Sequence, residues 1–365
     1  MILKIFSDKS YLPTGKGHIA MLYPFWGKNL EDPRDPSSGR FDMYTKIGSR
    51  FFQMTTLKDA DIAVFPGAWE HVIENTDALK KAEQFIENAT LSGKPTVIFF
   101  FSDSDEEIPY ENTIIFRTSL YYSSRKPNEF AMPAWSEDFI EKYLGGQLSI
   151  RQKKEKAVVG FCGYAPPFKE MPLSLIARLR HIIQTCRNIL KKLSGINNTG
   201  SSIRTAVLQV LTKSHKIETN FAIREKFLGG AILPSGDMDF AMMQRSRQEY
   251  VQNMVESDYI LCARGGGNFS YRLYETLSCG RIPLFVDTDC VLPYHSEINW
   301  KEYSVWVDER EIDQTDEKID AFHKSLKIEN FLELQQKCRR LWDERLSPHG
   351  FFANFHRHFE VGKNI

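Results

Sequence analysis

The chain has 365 residues, enough for two domains, and its 42% hydrophobic and 26% charged content is ordinary globular usage. Lys plus Arg equals Asp plus Glu at 47 each, so no global field favours nucleic acid or a charged membrane, and any anion site has to be local. The longest apolar runs, such as residues 96–101 and 282–286, fall far short of a membrane span, and the N-terminal MILKIFSD lacks a signal peptide's layout, so a cytoplasmic protein is the expectation.

Residues 2–6, 19–23, 61–65, 96–101 and 113–117 are short β-rich runs that read as buried parallel strands. A helix is marked between two of them, with Thr76 or Asp77 as its cap, Leu79, Ala82, Phe85, Ile86 and Ala89 at helical spacing, and Gly93 before Lys94-Pro95 as its stop. That alternation predicts a Rossmann-like sheet over residues 1–150. Asp103-Ser104-Asp105 follows the 96–101 strand, at the strand end where ligands of α/β folds bind. Asp103 or Asp105 there suits acid–base work, the pair suits a divalent metal, and with Glu106 and Glu107 the run also reads as a solvated acidic loop. His71 in Trp69-Glu70-His71, and Glu137 after Pro133-Ala134-Trp135, are reserve bases.

The basic run 151–156 reads as a hinge or an exposed strand start, opening a second unit over 151–347. Pro172 opens a helix whose Leu175, Leu179, Ile182, Cys186, Ile189 and Leu193 form a core stripe, with Arg178, Arg187 and Lys191 outside. After a polar loop at 197–202, a helix over 202–211 carries Arg204 near its start, either a phosphate or acceptor ligand or a surface charge. Residues 240–255 form another helix, and the aromatic tail 331–359 is helical, with His356 and His358 expected to be exposed. The six cysteines show no C-x-x-C pair and read as reduced core thiols. Sequons stand at Asn88, Asn197 and Asn268.

Residues 257–294 carry the strongest pattern: strand, glycine loop, short helix, Gly280, strand. Gly265, Gly266 and Gly267 let backbone N–H groups approach a ligand and adopt positive φ, and a helix beginning at about Asn268 to Ser270 offers free N–H groups to a phosphate. Arg264 before the loop and Arg272 in the first helical turn suit diphosphate oxygens; Glu275, on the same face as Arg272, suits ribose hydroxyls. Tyr271 and Tyr274 read mainly as packing, with a base-flanking role open to either. A plain tight turn, an Arg272–Glu275 surface pair and a dinucleotide site with Asp287 as ribose acid are the competing readings; Ser270 in place of a third glycine weakens the last.

Gly265–Gly267, Ser270, Arg272, Glu275, Gly280, Ile282, Pro283 and Leu292 to Tyr294, followed by Ile298, Asn299 and Trp300, resemble in order the signature of the exostosin-like glycosyltransferases. The resemblance covers mainly the C-terminal half and extends weakly to Phe161–Gly163 and Ile203-Arg204; an N-terminal anchor found in many members is absent, and this loop is richer in glycine. It implies an α/β fold of two facing Rossmann-like domains of GT-B type, with the nucleotide-sugar in the second domain and the final helix, 348–365, returning to the first. The implied activity is inverting, metal-independent transfer from a nucleoside-diphosphate sugar, UDP-sugar favoured, to a glycan hydroxyl, with no cofactor. Alternatives are a fucosyltransferase-like enzyme using a GDP-sugar, a metal-dependent transferase using Asp103-Ser104-Asp105, and a dinucleotide-dependent oxidoreductase.

Overall fold

A computed structural model of the chain describes residues 2–165, 200–233 and 235–360. The helix expected from Pro172, its Leu175 to Leu193 stripe, Cys186 and the Asn197 sequon lie outside the described residues. Two fully parallel sheets with interleaved helices form an α/β fold of GT-B-like layout. The first has the order β2-β1-β3-β4-β5-β6, from Leu3–Phe6 (β1), Phe52–Met54 (β2), Ile62–Val64 (β3), Thr96–Phe100 (β4), Thr113–Arg117 (β5) and Glu129–Ala131 (β6). The second has the order β11-β10-β9-β7-β8, from Val158–Tyr164 (β7), Glu218–Arg224 (β8), Tyr259–Cys262 (β9), Ile282–Asp287 (β10) and Val305–Asp308 (β11). Continuous apolar runs such as Thr96–Phe100, buried at every position, are what a parallel strand covered on both faces requires.

The run 19–23 is not a strand. Ala20–Leu22 is a 3₁₀ turn leading into the helix Tyr23–Trp26, with Pro24 in its first turn, where a missing N–H costs nothing. Five consecutive buried hydrophobic residues, Ile19 to Tyr23, fit either element, and proline chemistry decides for the helix. The helix Thr76–Leu91 is capped one residue earlier than expected, by the Asn75 side chain, which accepts from Asp77 N and Ala78 N. Arg151, in the supposed hinge, is pinned by an ion pair to the fully buried Asp258. Among the described cysteines all are free thiols, four buried and Cys290 half-buried.

The aromatic tail lies on the first sheet. Ser347 accepts from Gly350 N at 3.0 Å and Pro348 opens the helix Pro348–Ala353, a turn that sends Phe351, Phe352, Phe355 and His358 toward β4 and β5. Phe352 stacks on Tyr44 at 4.2 Å and Phe355 packs on Phe116 at 4.8 Å. His358 is therefore buried among Phe116, Phe130 and Tyr294 rather than exposed. Burial lowers its pKa to about 3.

The C-terminal edges of the two sheets meet. Beyond β5, Leu120 O accepts from Val291 N at 3.1 Å, Tyr122 N donates to Asp289 O at 2.9 Å, and Tyr121 pairs antiparallel with Cys290. These backbone bonds bring the loops after β4 and β5 against the glycine loop after β9.

Candidate anion site at the meeting of the two sheets

The glycine loop leaves the end of β9 and passes under two elements. On one side, Gly200 at the start of the helix Gly200–Lys213 packs so tightly that a Cβ there would lie 2.2 Å from the carbonyl oxygens of Arg264 and Gly265. On the other, a Cβ on Gly266 would lie 2.3 Å from Asp103 Oδ2, and one on Gly267 would lie 2.8 Å from Asp103 Cα. None of the three loop glycines adopts positive φ, contrary to expectation. Close approach excludes a side chain at Gly267, where the Asp103 backbone lies; Gly266 meets only the Asp103 side chain, and Gly265 has open space around it. Asp103 and Asp105 are both exposed, and among the described residues no group of three His, Cys, Asp or Glu is placed to hold a metal ion.

The helix begins later than expected, at Tyr271, with Ser270 as the buried N-cap residue making no side-chain capping bond. Asn268 precedes it and belongs to the seam. Its side chain donates to Leu120 O at 3.3 Å and Asp289 O at 3.1 Å, its backbone N–H donates to Ser119 Oγ at 2.9 Å, and it is fully buried. Tyr271 is half-exposed and Tyr274 is in the core, so only the first presents a ring to the cleft.

Three arginines converge below the loop. Arg264 is buried and donates to the Tyr121 hydroxyl at 2.8 Å, across the seam. Arg204 donates to Tyr164 O at 2.8 Å and Arg264 O at 3.3 Å, and its buried Nε has no hydrogen-bond partner among the described residues. Arg272 donates to Cys162 O at 2.9 Å, Leu261 O at 3.3 Å and the Tyr250 hydroxyl at 3.1 Å. Its guanidinium lies 4.4 Å from the centre of the Phe161 ring, and Arg204 approaches the same ring at 6.0 Å. Neither Arg204 nor Arg272 pairs with a carboxylate among the described residues. Burial, reinforced by the charge of Arg272, lowers the Arg204 pKa to about 10.

Glu275 does not pair with Arg272. One carboxylate oxygen takes Arg247 at 2.9 Å and the other takes the Tyr250 hydroxyl, so this 6%-exposed group is turned into the protein rather than toward a ribose. Glu137, a reserve base on sequence grounds, is buried too and takes Arg247 at 2.8 Å. In the Trp69-Glu70-His71 stretch Glu70 reaches the strand end that precedes Asp103: its Oε2 accepts from Phe101 N at 3.1 Å. Sequence reasoning missed Arg247 and Tyr250. Their spacing of three on one helix was a signal, but nothing in one sequence says which buried carboxylates that face meets.

The glycine loop and the three arginines below it lie where the C-terminal edges of the two parallel sheets meet, the part of an α/β fold where ligands bind. Residues 149–321, just under half of the chain, match the model of the Exostosin GT47 domain. The chain is similar to Exostosin-1 of Drosophila melanogaster, 32% identical over 97 residues, 27% of this chain and 12% of that protein. It is 33% identical over 87 residues to a "Probable glucuronosyltransferase" of Oryza sativa subsp. japonica, 24% of this chain and 19% of that one. It is 34% identical over 67 residues to a "Probable beta-1,4-xylosyltransferase" of Arabidopsis thaliana, 18% and 16% respectively. The chain thus spans under a fifth of the length of each of these relatives. Among the described residues no helix is long and apolar enough to cross a membrane.

Proposed function

We propose that the chain is an inverting glycosyltransferase that moves a sugar from a nucleoside-diphosphate donor, a UDP-sugar by preference, to a hydroxyl of a glycan acceptor without a metal. The observation that carries this reading is the pair Arg204 and Arg272, bonded to carbonyls and a phenol but, among the described residues, to no carboxylate, beside the glycine loop. The names of the relatives, glucuronosyl- and xylosyltransferases among them, support sugar transfer.

In this reading Asp103 takes the proton of the acceptor hydroxyl as that oxygen bonds to the anomeric carbon, and the bond from that carbon to the diphosphate oxygen breaks. The electron pair leaves on the diphosphate, where Arg204, Arg264, Arg272 and the loop N–H groups stabilise it. Because the Asp103 carboxylate rests on Gly266, an incoming diphosphate turns it toward the acceptor side by charge repulsion. Tyr271, half-exposed at the loop, flanks the base.

Thermal stabilisation by UDP, GDP, CDP and NAD tests the donor class: a rise with UDP above the others is expected, and a rise with NAD alone overturns the proposal. Asp103→Asn is expected to keep the UDP shift and lose transfer. A second reading rests on the same contact, since a carboxylate on a diphosphate loop also suits a bridging divalent cation. Transfer abolished by chelator and restored by Mn²⁺ favours that reading; indifference to chelator favours the first.

A further inference from the structure

A chain of hydrogen-bonded side chains runs behind Arg272 and is not explained by anion binding alone. Its members are Glu137, Arg247, Glu275, Tyr250 and Arg272, in that order. Arg247 donates through Nε and Nη2 to Glu137 Oε1 at 2.9 and 2.8 Å, and its guanidinium lies 4.5 Å from the centre of the Phe139 ring. It also pairs with Glu275 Oε1 at 2.9 Å. Burial works against its charge, but the two carboxylates, Glu275 and Glu137, outweigh burial and leave its pKa raised. The Tyr250 phenol donates its one proton to Glu275 Oε2 and accepts from Arg272 Nε at 3.1 Å.

We propose that Tyr250 and Arg247 are positioning residues for Arg272: they keep the Glu275 carboxylate off the Arg272 guanidinium, so that its charge stays available to the diphosphate. Glu275 lies three residues along the same helix from Arg272, a spacing at which a direct pair forms readily. Such a pair would neutralise the cation before any donor arrived. Two features prevent it. Arg247 occupies one carboxylate oxygen, and Tyr250 stands between the other and Arg272 with a group that is donor to one and acceptor from the other, which no carboxylate, ammonium or phenyl ring can be at once. Glu137 lies ahead of the helix Phe139–Tyr143 in the first half of the chain, while its partner Arg247 lies in the second half, so acceptor-side and donor-side elements are tied to one guanidinium. Glu137 meets Arg247 through Oε1 alone; its buried Oε2 has no hydrogen-bond partner among the described residues. The inference rests on the nucleotide-sugar reading above and adds to it how Arg272 is kept charged and oriented.

The test is Tyr250→Phe in the full chain, which keeps the ring and its packing and removes only the bridging hydroxyl. UDP and UMP are titrated calorimetrically against wild type and variant, and kcat and KM for donor are measured separately. The expected result is a UDP affinity lower by about tenfold or more and a much smaller change for UMP, with ligand-free melting near wild type; a merely structural tyrosine would not discriminate diphosphate from monophosphate. Wild-type affinity for both nucleotides in the folded variant overturns the inference while leaving the donor reading intact. Absence of binding of any nucleoside diphosphate to the wild type overturns the donor reading and the inference with it. If Tyr250→Phe does not fold, Arg247→Lys supplies the same comparison, because a single ammonium loses the fork that holds Glu137 and Glu275 together and so loosens the hold on Glu275; again UDP affinity has to fall more than UMP affinity, and wild-type affinities for both refute the proposal.

Discussion

Arg272→Ala separates a brace from a catalytic cation, because the two roles make different demands on one measurement. The variant strands two carbonyls, Cys162 O and Leu261 O, at the ends of β7 and β9, and loses the stacking on Phe161. Arg272 is half-buried, so water reaches part of the space it leaves, and each stranded carbonyl costs about 1 kcal/mol, the low end for such groups. Lost cation–π contact adds about 1 kcal/mol, for a total of about 3 kcal/mol. For a domain of about 150–250 residues that is a midpoint fall of roughly 6–12 °C. Removing a preorganised donor to a developing negative charge costs about 10²–10³ in turnover. The assay is transfer by the folded fraction, well below the variant's midpoint, beside calorimetric melting of the same sample. The expected outcome is both losses together. A midpoint fall of that size with turnover per folded molecule within about threefold of wild type would show that Arg272 only braces the two strands.

Gly200→Ala is expected to destabilise by about 1–3 kcal/mol, because its Cβ meets two backbone oxygens that cannot move aside, whereas Gly266→Ala meets only the end of the Asp103 side chain and should melt within about 0.5 kcal/mol of wild type. Equal melting of the two variants refutes the loop packing. Burial holds the His358 pKa at about 3 against the usual 6.5, so the unfolded chain binds a proton that the native state refuses. Stability is therefore lost as pH falls from about 6.5 toward 3, by up to about 1.4 kcal/mol per pH unit, and His358→Phe should flatten that limb of the melting-versus-pH curve. In a glycosylating host Asn88, on an exposed helix face, should carry glycan and the fully buried Asn268 none; peptide mass spectrometry showing an occupied Asn268 in folded protein contradicts the seam.

The sheets were legible because parallel strands buried on both faces write themselves as unbroken apolar runs, and β4 and β5 do so. Runs without that signature were not. Glu218–Arg224 is an edge strand, largely exposed or half-buried, so its residues are not selected for apolarity. Phe52–Met54 and Glu129–Ala131 hold three residues each, too few for a period. At the site, local chemistry was readable: glycines, helix start and arginines all lie within one stretch of sequence. Partners from elsewhere were not. That Asp103 sits on Gly266, that Ser119 and Leu120 hold Asn268, and that Glu275 faces Arg247 are contacts between residues separated by well over twenty positions. The sequence names their types but not their meeting.

The strongest reason to treat Arg204 and Arg272 as functional comes from comparing the chain's buried arginines with one another. Arg117 pairs with Glu129 at 2.7 Å, Arg339 with Asp138 at 2.7 Å, and Arg247 with two carboxylates, so each has at least one counter-charge in contact. Arg281 is carboxylate-free and fully buried, yet it donates to Val255 O and Cys279 O, carbonyls at the C-terminal ends of two helices, where the backbone dipoles supply negative potential. Arg204 and Arg272 have the opposite setting. Each lies near the N-terminal end of its helix, Gly200–Lys213 and Tyr271–Ser278, where the dipole adds positive potential, and the charge of Arg272 lowers the Arg204 pKa further. Against burial, Tyr250 and Glu275 favour the charged form of Arg272, so the cost of an unmatched cation in the ligand-free protein falls on Arg204, which burial and Arg272 hold below its usual range. A dianionic leaving group relieves all of that at once, and relieves most when its charge is greatest, at the transition state.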